Sequence, residues 1–131
     1  MGVAEHTPGR WRSLGWVSDR LRAELQRVID NDDVGAADAR IALADGAVRR
    51  RLEAGIRALA EHRGPHSSLC PSDAARLVGG DDWRELMECT REVVAQMARR
   101  GEVQITQRGE AVDPDLDWHG PIRIRVTGHD L

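Results

Sequence analysis

Leu69-Cys70-Pro71-Ser72-Asp73-Ala74-Ala75-Arg76-Leu77-Val78-Gly79-Gly80-Asp81-Asp82-Trp83 is the stretch on which the fold turns. Pro71 lacks an amide hydrogen and so suits the first turn of a helix, where that hydrogen would go unbonded. Ser72 and Asp73 set oxygens beside the free amides of that turn, and the helix is expected to run to about Val78. Gly79 and Gly80 supply the left-handed backbone needed to turn. Asp81 or Asp82 then caps a second helix, expected to continue to Arg100 and stop at Gly101. A short helix, a glycine break and a longer helix make the layout of a helix-turn-helix.

Outward from this stretch the pattern changes period. In the second helix Trp83, Leu86, Met87, Thr90, Val94 and Met97 recur at helical spacing and form a core-facing stripe, with Trp83 placed in the core. Beyond it, Val103 and Ile105 alternate with Gln104 and Thr106, as Ile122, Ile124 and Val126 alternate with Arg123 and Arg125. Two strands with one buried face each follow from that alternation. Arg108-Gly109 and Asp113-Pro114 are turn signals in the link. The expected fold is mainly α with a small β-hairpin, a winged helix-turn-helix.

Upstream, Val48, Leu52, Ile56, Leu59 and Ala60 give an amphipathic helix ending by His62 or Arg63, with Gly64 and Pro65 beyond and a short edge strand at Ser67 to Leu69. Residues 1–15 lack periodicity and are expected to be a loose terminus. Ser18 is positioned to cap a helix carrying Leu21, Leu25, Val28 and Ile29, and Asp33 to cap another over Val34 to Leu43. Residues 1–46 thus form an arm with accessory helices, covering the main domain or a second copy of it. Residues 47–131 form the winged-helix-like domain.

Composition narrows the function classes. Without Phe or Tyr the core must be aliphatic, and at 131 residues and 40% hydrophobic content that core is modest. All 19 basic residues are Arg, which codon usage in a GC-rich genome explains more simply than a demand for guanidinium groups. The net charge is −3, made of 6 Arg against 8 acids in residues 1–46 and 13 against 14 in the remainder. The molecule therefore has no long-range pull on phosphate, and a nucleic-acid site must be a local arginine cluster. Two cysteines far apart make no disulfide framework. No apolar run suggests a signal peptide or a membrane span, so a cytoplasmic protein with no membrane partner is expected.

Cys70 to Arg76, Asp82-Trp83-Arg84, Ile105-Thr106-Gln107-Arg108-Gly109, Val112-Asp113-Pro114 and Gly120-Pro121-Ile122-Arg123-Ile124-Arg125 occur in that order. This ordered set resembles a small bacterial family catalogued as a domain of unknown function (three-two-five-three), over roughly residues 48–126. The resemblance implies a winged-helix-like fold, and it brings no activity and no catalytic residues.

Binding of DNA or RNA would place the second helix in the major groove and the hairpin on the backbone. Arg84, Arg91 and Arg99, spaced by 7 and 8, would share an exposed face and meet phosphates or guanine edges. Ser72 and Arg76 would reach phosphate from the preceding helix, and Thr106, Gln107 and Arg108 from the wing. Glu85, Glu88 and Glu92 beside that face, and Glu110, Asp113, Asp115 and Asp117 in the wing, oppose it. Mixed-sign runs are more often a solvated, salt-bridged face.

A protein-docking or homodimerisation module is the rival reading, with Trp11 and Trp16 as anchors or, equally, as residues buried against the domain. A metal site from His62, His66, Cys70 and Cys89 lacks paired Cys-x2-Cys spacing. Cys70 sits where a helix dipole lowers a thiol pKa, although a half-buried small residue is the simpler role. No catalytic constellation stands out, and the alternating Asp113, Asp115 and Asp117 lack the rest of a calcium loop. A non-enzymatic protein without metal or cofactor is expected. Arg123 and Arg125 remain open between phosphate contacts and partners of the acidic loop.

Overall fold

The computed structural model describes residues 9–115, 118 and 120–127, with side chains described from Ser18 onward. Five α-helices run in order: α1 (Gly9–Asp30), α2 (Ala36–Leu43), α3 (Val48–Arg63), α4 (Pro71–Gly79) and α5 (Met87–Arg99). A 3-10 helix, Gly80–Leu86, joins α4 to α5, and three short strands follow: β1 (Val103–Gln107), β2 (Glu110–Ala111) and β3 (Arg123–Val126). The protein is mainly helical with a small antiparallel sheet, as its α+β patterning implies.

The first turn of α4 forms as its residues dictate. The amide of Cys70 donates to Asp73 Oδ2 at 3.1 Å, and Pro71 occupies the first helical position. Gly80 turns the chain with φ of +59°, a left-handed value that glycine takes without a Cβ clash. Gly79 keeps an ordinary negative φ, so one glycine makes the break. The second helix departs from expectation. Instead of one α-helix from Asp82 to Arg100, Gly80–Leu86 is a 3-10 helix with a non-helical Asp82, and α-geometry begins at Met87. Trp83, expected in the core, is only half-buried in that stretch.

The N-terminal helix also differs. It starts at Gly9, so residues 9–15 are helical rather than loose, and Ser18 lies inside α1. No strong breaker follows Pro8, and Gly15 weakens a helix by about 1 kcal/mol without ending it. Ser18 is 7% exposed, and its hydroxyl donates to the carbonyl of Arg76 at 3.1 Å, tying α1 to α4. Asp33 is likewise no side-chain cap: α2 opens at Ala36 after a left-handed Gly35, and the Asp33 carbonyl accepts from the Ala36 amide. The side chains of Trp11 and Trp16 lie outside the described ones, as does residue Asp117.

One aliphatic core joins these elements. Leu25 and Val28 of α1, Ala39 and Ala42 of α2, and Leu52, Ile56 and Leu59 of α3 are fully buried in one cluster. Leu77 of α4, Val94 and Met97 of α5, Ile105 and Ile124 of the sheet, and Leu69 and Ile122 beside it belong to the same cluster. Burying each large aliphatic side chain contributes about 1.5–3 kcal/mol. Val48, expected in the stripe of α3, is the first residue of that helix and is 40% exposed.

Two ionic networks bind the helices across that core. Arg63 reaches Glu24 of α1 at 2.9 and 3.1 Å and Asp73 of α4 at 3.3 Å. Arg57 contacts Asp38 at 3.1 Å, Glu53 at 3.2 Å and Glu102 at 2.7 Å, while Arg100 bridges Glu53 and Glu102.

In the sheet β1 is central, in the order β2-β1-β3. Val103 pairs with Val126, Ile105 with Ile124 and Thr106 with Arg123. The β1–β2 turn is Arg108-Gly109, with φ of +55° and +85°, the backbone of a tight two-residue hairpin. The expected edge strand at Ser67 to Leu69 contracts to one bridge, Leu69 with Ile124, whose two reciprocal hydrogen bonds are 2.8 Å long. Strand alternation predicts an exposed Thr106, but it is 6% exposed, lining a recess beside residues 66–68. Among the described residues no helix is long and apolar enough to cross a membrane.

Candidate interaction surface

Because α5 buries Thr90, Val93, Val94, Ala95 and Met97, its helical period turns Glu88, Glu92, Gln96 and Arg99 outward, with Arg91 half-buried between them. This outer side forms one wall of an open cleft of about 510 Å³. Arg49 of α3 stands on the other side, and Pro114, Asp115 and Trp118 close the end. The cleft is an α5–α3–loop surface, and it holds two of the three arginines that spacing placed on a common face.

Every arginine in it is engaged. Arg49 Nη1 meets Glu92 Oε1 at 2.9 Å and Cys89 Sγ at 3.6 Å, and Nη2 donates to Gln96 at 3.4 Å. The Glu92 hydrogen bond raises the pKa of Arg49. Arg99 Nε donates to Asp115 Oδ1 at 2.5 Å. Arg91 donates from Nη2 to the carbonyl of Trp118 at 3.4 Å, and its guanidinium carbon lies 5.5 Å from the Trp118 ring centre. Trp118 is fixed in turn by its indole N–H, which donates to the Asp113 carbonyl at 3.0 Å. The Asp113 carboxylate accepts from the Asp115 amide at 2.8 Å, a local turn that aims Asp115 at Arg99.

Arg84 is not on this surface. Each residue of a 3-10 helix advances about 120° rather than the α-helix's 100°, so three such steps swing Arg84 about 60° from the Arg91–Arg99 line. Its guanidinium carbon sits 4.7 Å from the centre of the Trp83 ring, and that of Arg76 sits 4.3 Å from the same ring. Two cations over one indole make a compact cation–π cluster that packs the 3-10 stretch onto α4. Ser72 is half-buried in the first turn of α4. Gln107 Nε2 donates to the Pro121 carbonyl at 3.4 Å, Thr106 is buried, and Arg108 is exposed at the hairpin tip. The eight residues singled out for nucleic acid thus divide among the cleft, the Trp83 cluster, the start of α4 and the hairpin.

Sequence reasoning missed Arg49 and Trp118. Arg49 is one of three consecutive arginines, Arg49 to Arg51, and only the packing of α3 against α5 distinguishes it. The acidic loop could have been matched to Arg99 by charge, since Asp115 follows a turn-forming Asp113-Pro114. Among the described residues Arg123 bonds Ser68 and Arg125 bonds Gln104, and neither meets Asp113 or Asp115 of that loop. Among the described residues no three His, Cys, Asp or Glu side chains gather as a metal-binding group.

No curated protein matches the chain. A family described as a protein of unknown function, DUF3253, matches residues 49–127, the span from the cleft's Arg49 through the last strand. That span covers more than half of the chain and carries the ordered motifs of α4, α5 and the sheet, and the chain therefore belongs to the DUF3253 family.

Proposed function

We propose that this protein is a non-enzymatic winged-helix module of the bacterial cytoplasm, and that its α5 cleft holds a polypeptide segment of mixed charge. The winged-helix reading is supported by element order. α3, the Leu69 bridge, α4, α5, β1 and β3 follow the sequence helix, strand, helix, helix, strand, strand, with Leu69 beside β3 and β3 beside β1.

The observation that carries the choice of partner is the pairing within the cleft. Arg49 and Arg99 already hold carboxylates, and Glu88 adds a further negative charge to the wall. A phosphate approaching α5 would have to displace Glu92 and Asp115 and then lie beside them. A peptide with alternating charges can exchange pairs one for one, and Trp118 with Arg91 offers the aromatic and guanidinium contacts on which interface energy concentrates. Binding of DNA or RNA is the second reading; the exposed Arg108 at the hairpin tip favours it, since a wing contact needs such a residue.

A photo-crosslinking amino acid at Gln96, which is exposed inside the cleft, tests the proposal in cells. The expected product is a nuclease-resistant, protease-sensitive adduct that is absent when the probe sits at Asp32 and is lost in Trp118→Ala. A nuclease-sensitive adduct at position 96, or equal adducts at both positions, would overturn it.

A further inference from the structure

The outer face of the sheet carries a second polar recess, of about 220 Å³, lined by His66, Ser67, Ser68, Thr106, Gly109, Arg123 and Arg125. It contrasts with the α5 cleft in one respect that decides its chemistry: among the described residues none that lines it is acidic. Arg123 and Arg125 are two apart on β3, so their side chains leave the same face about 7 Å from each other. The Leu69–Ile124 bridge buries both its residues completely, which turns Ser68, Arg123 and Arg125 to the opposite side and brings residues 66–68 alongside.

Both guanidiniums are held by neutral acceptors. Arg123 donates from Nε to Ser68 Oγ at 2.9 Å and from Nη2 to the Ser68 carbonyl at 3.2 Å. Arg125 donates from Nε and Nη2 to Gln104 Oε1 at 2.9 and 2.7 Å. Each therefore commits two of its five N–H donors and, among the described residues, has no carboxylate partner. Like charges on neighbouring positions of one sheet face repel. Side chains already fixed by Ser68 and Gln104 lose little freedom when a ligand arrives.

We propose that this recess binds a small oxyanion of the phosphate class, a free phosphate or a phosphomonoester, with Arg123 and Arg125 as its charged donors and Ser67, Ser68 and His66 at its rim. The ligand relieves the repulsion between the two guanidiniums and takes their remaining donors, the fork geometry that suits phosphate oxygens. A concave recess on a molecule of net charge −3 fits a small dianion better than an extended polyanion. This site lies on β3 and stands apart from the α5 reading.

The test is a titration of 15N-labelled full-length protein with inorganic phosphate, against sodium chloride at equal ionic strength. Saturable shifts are expected at the Nε–Hε signals of Arg123 and Arg125 and at the amides of Ser67, Ser68 and Gly109. Arg125→Gln should weaken binding at least about tenfold, the loss of one charge-assisted contact, and Arg27→Gln should leave it unchanged. If Arg125→Gln unfolds, Arg123→Gln, whose side chain is exposed, supplies the same reading. Linear shifts matched by chloride, saturation that survives both Arg123→Gln and Arg125→Gln, or shifts produced by a short DNA duplex but not by phosphate would each overturn the proposal.

Discussion

Arg63→Met should destabilise the protein by about 2–3 kcal/mol, a value that follows from where Arg63 sits. Its guanidinium ends α3 and donates to both carboxylate oxygens of Glu24, at 2.9 and 3.1 Å, and to Asp73 and the Ser68 carbonyl, each at 3.3 Å. Its side chain is 22% exposed, that of Glu24 15% and that of Asp73 21%. The Glu24 hydrogen bond raises the Arg63 pKa against an opposing effect of burial. Breaking a fully buried pair costs about 3–5 kcal/mol, whereas an exposed pair is worth at most about 1 kcal/mol. A network about one-fifth exposed falls between those limits.

Methionine keeps much of the aliphatic stem's packing, so the loss reports mainly on the guanidinium. Urea unfolding followed by circular dichroism should show a midpoint about 1–2 M lower, taking an m-value of about 1.5–2 kcal/mol/M. Arg63→Lys should recover less than half of the loss, because an ammonium cannot fork onto Glu24. A cycle with Glu24→Gln should give a coupling of about 1–2 kcal/mol. A loss under about 0.5 kcal/mol for Arg63→Met, or no coupling to Glu24, would refute the view that this network fastens α1 to α3.

Three further outcomes are expected. Burial pushes the Glu102 carboxyl up, but the hydrogen bond and charge of Arg57, with the charge of Arg100, outweigh it and leave its pKa lowered; its stabilisation is therefore present above the ordinary glutamate range and lost as pH falls through the folded value. Glu102→Gln should cost about 0.5–1 kcal/mol at pH 7 and progressively less in acid, as thermal melts across pH would show. A Cβ at Gly55 would lie 2.9 Å from Leu77 Cδ2 and 3.6 Å from Ala42 Cβ, and Leu77 is fully buried, so Gly55→Val should cost at least about 1–3 kcal/mol in chemical denaturation. Arg108→Asn should stabilise by about 0.5–1 kcal/mol, since asparagine takes the left-handed backbone of this hairpin turn more readily than arginine does.

What the sequence disclosed, and what it hid, divides by range. The start of α4 was legible because Pro71 and Asp73 act within one turn of the residues they satisfy. So were the glycine break, although only Gly80 takes the left-handed φ, and the turn at Arg108-Gly109, whose backbone demands are local. The two-residue strand β2 that this turn leads into was not expected, because Glu110-Ala111 carries no alternation. The 3-10 stretch was not, since Asp81 and Asp82 suit the opening of an α-helix equally well; the cluster of Arg76 and Arg84 over Trp83 accompanies the tighter winding. Helix α1 was read too short because Ser18 looks like a cap, and only the approach of Arg76 reveals it as a buried link. Burial of Thr106 depends on residues 66–68, some forty positions earlier in the chain. The counter-ions of the α5 cleft come from α3 and from the loop before β3, and no periodicity within α5 can show them.

The reading proposed for α5 is a mixed-charge cleft in which Arg49 and Arg99 already hold carboxylates, and not a surface for phosphate. Fluorescence anisotropy of a labelled random duplex and a single strand, at about 50 mM and again at about 200 mM salt, tests it most directly, because phosphate-driven binding collapses over that window. No binding that depends on α5 is expected at the lower salt, with Arg91→Glu indistinguishable from the natural chain. Tight, salt-sensitive binding that weakens in Arg91→Glu would contradict it and make α5 a nucleic-acid surface.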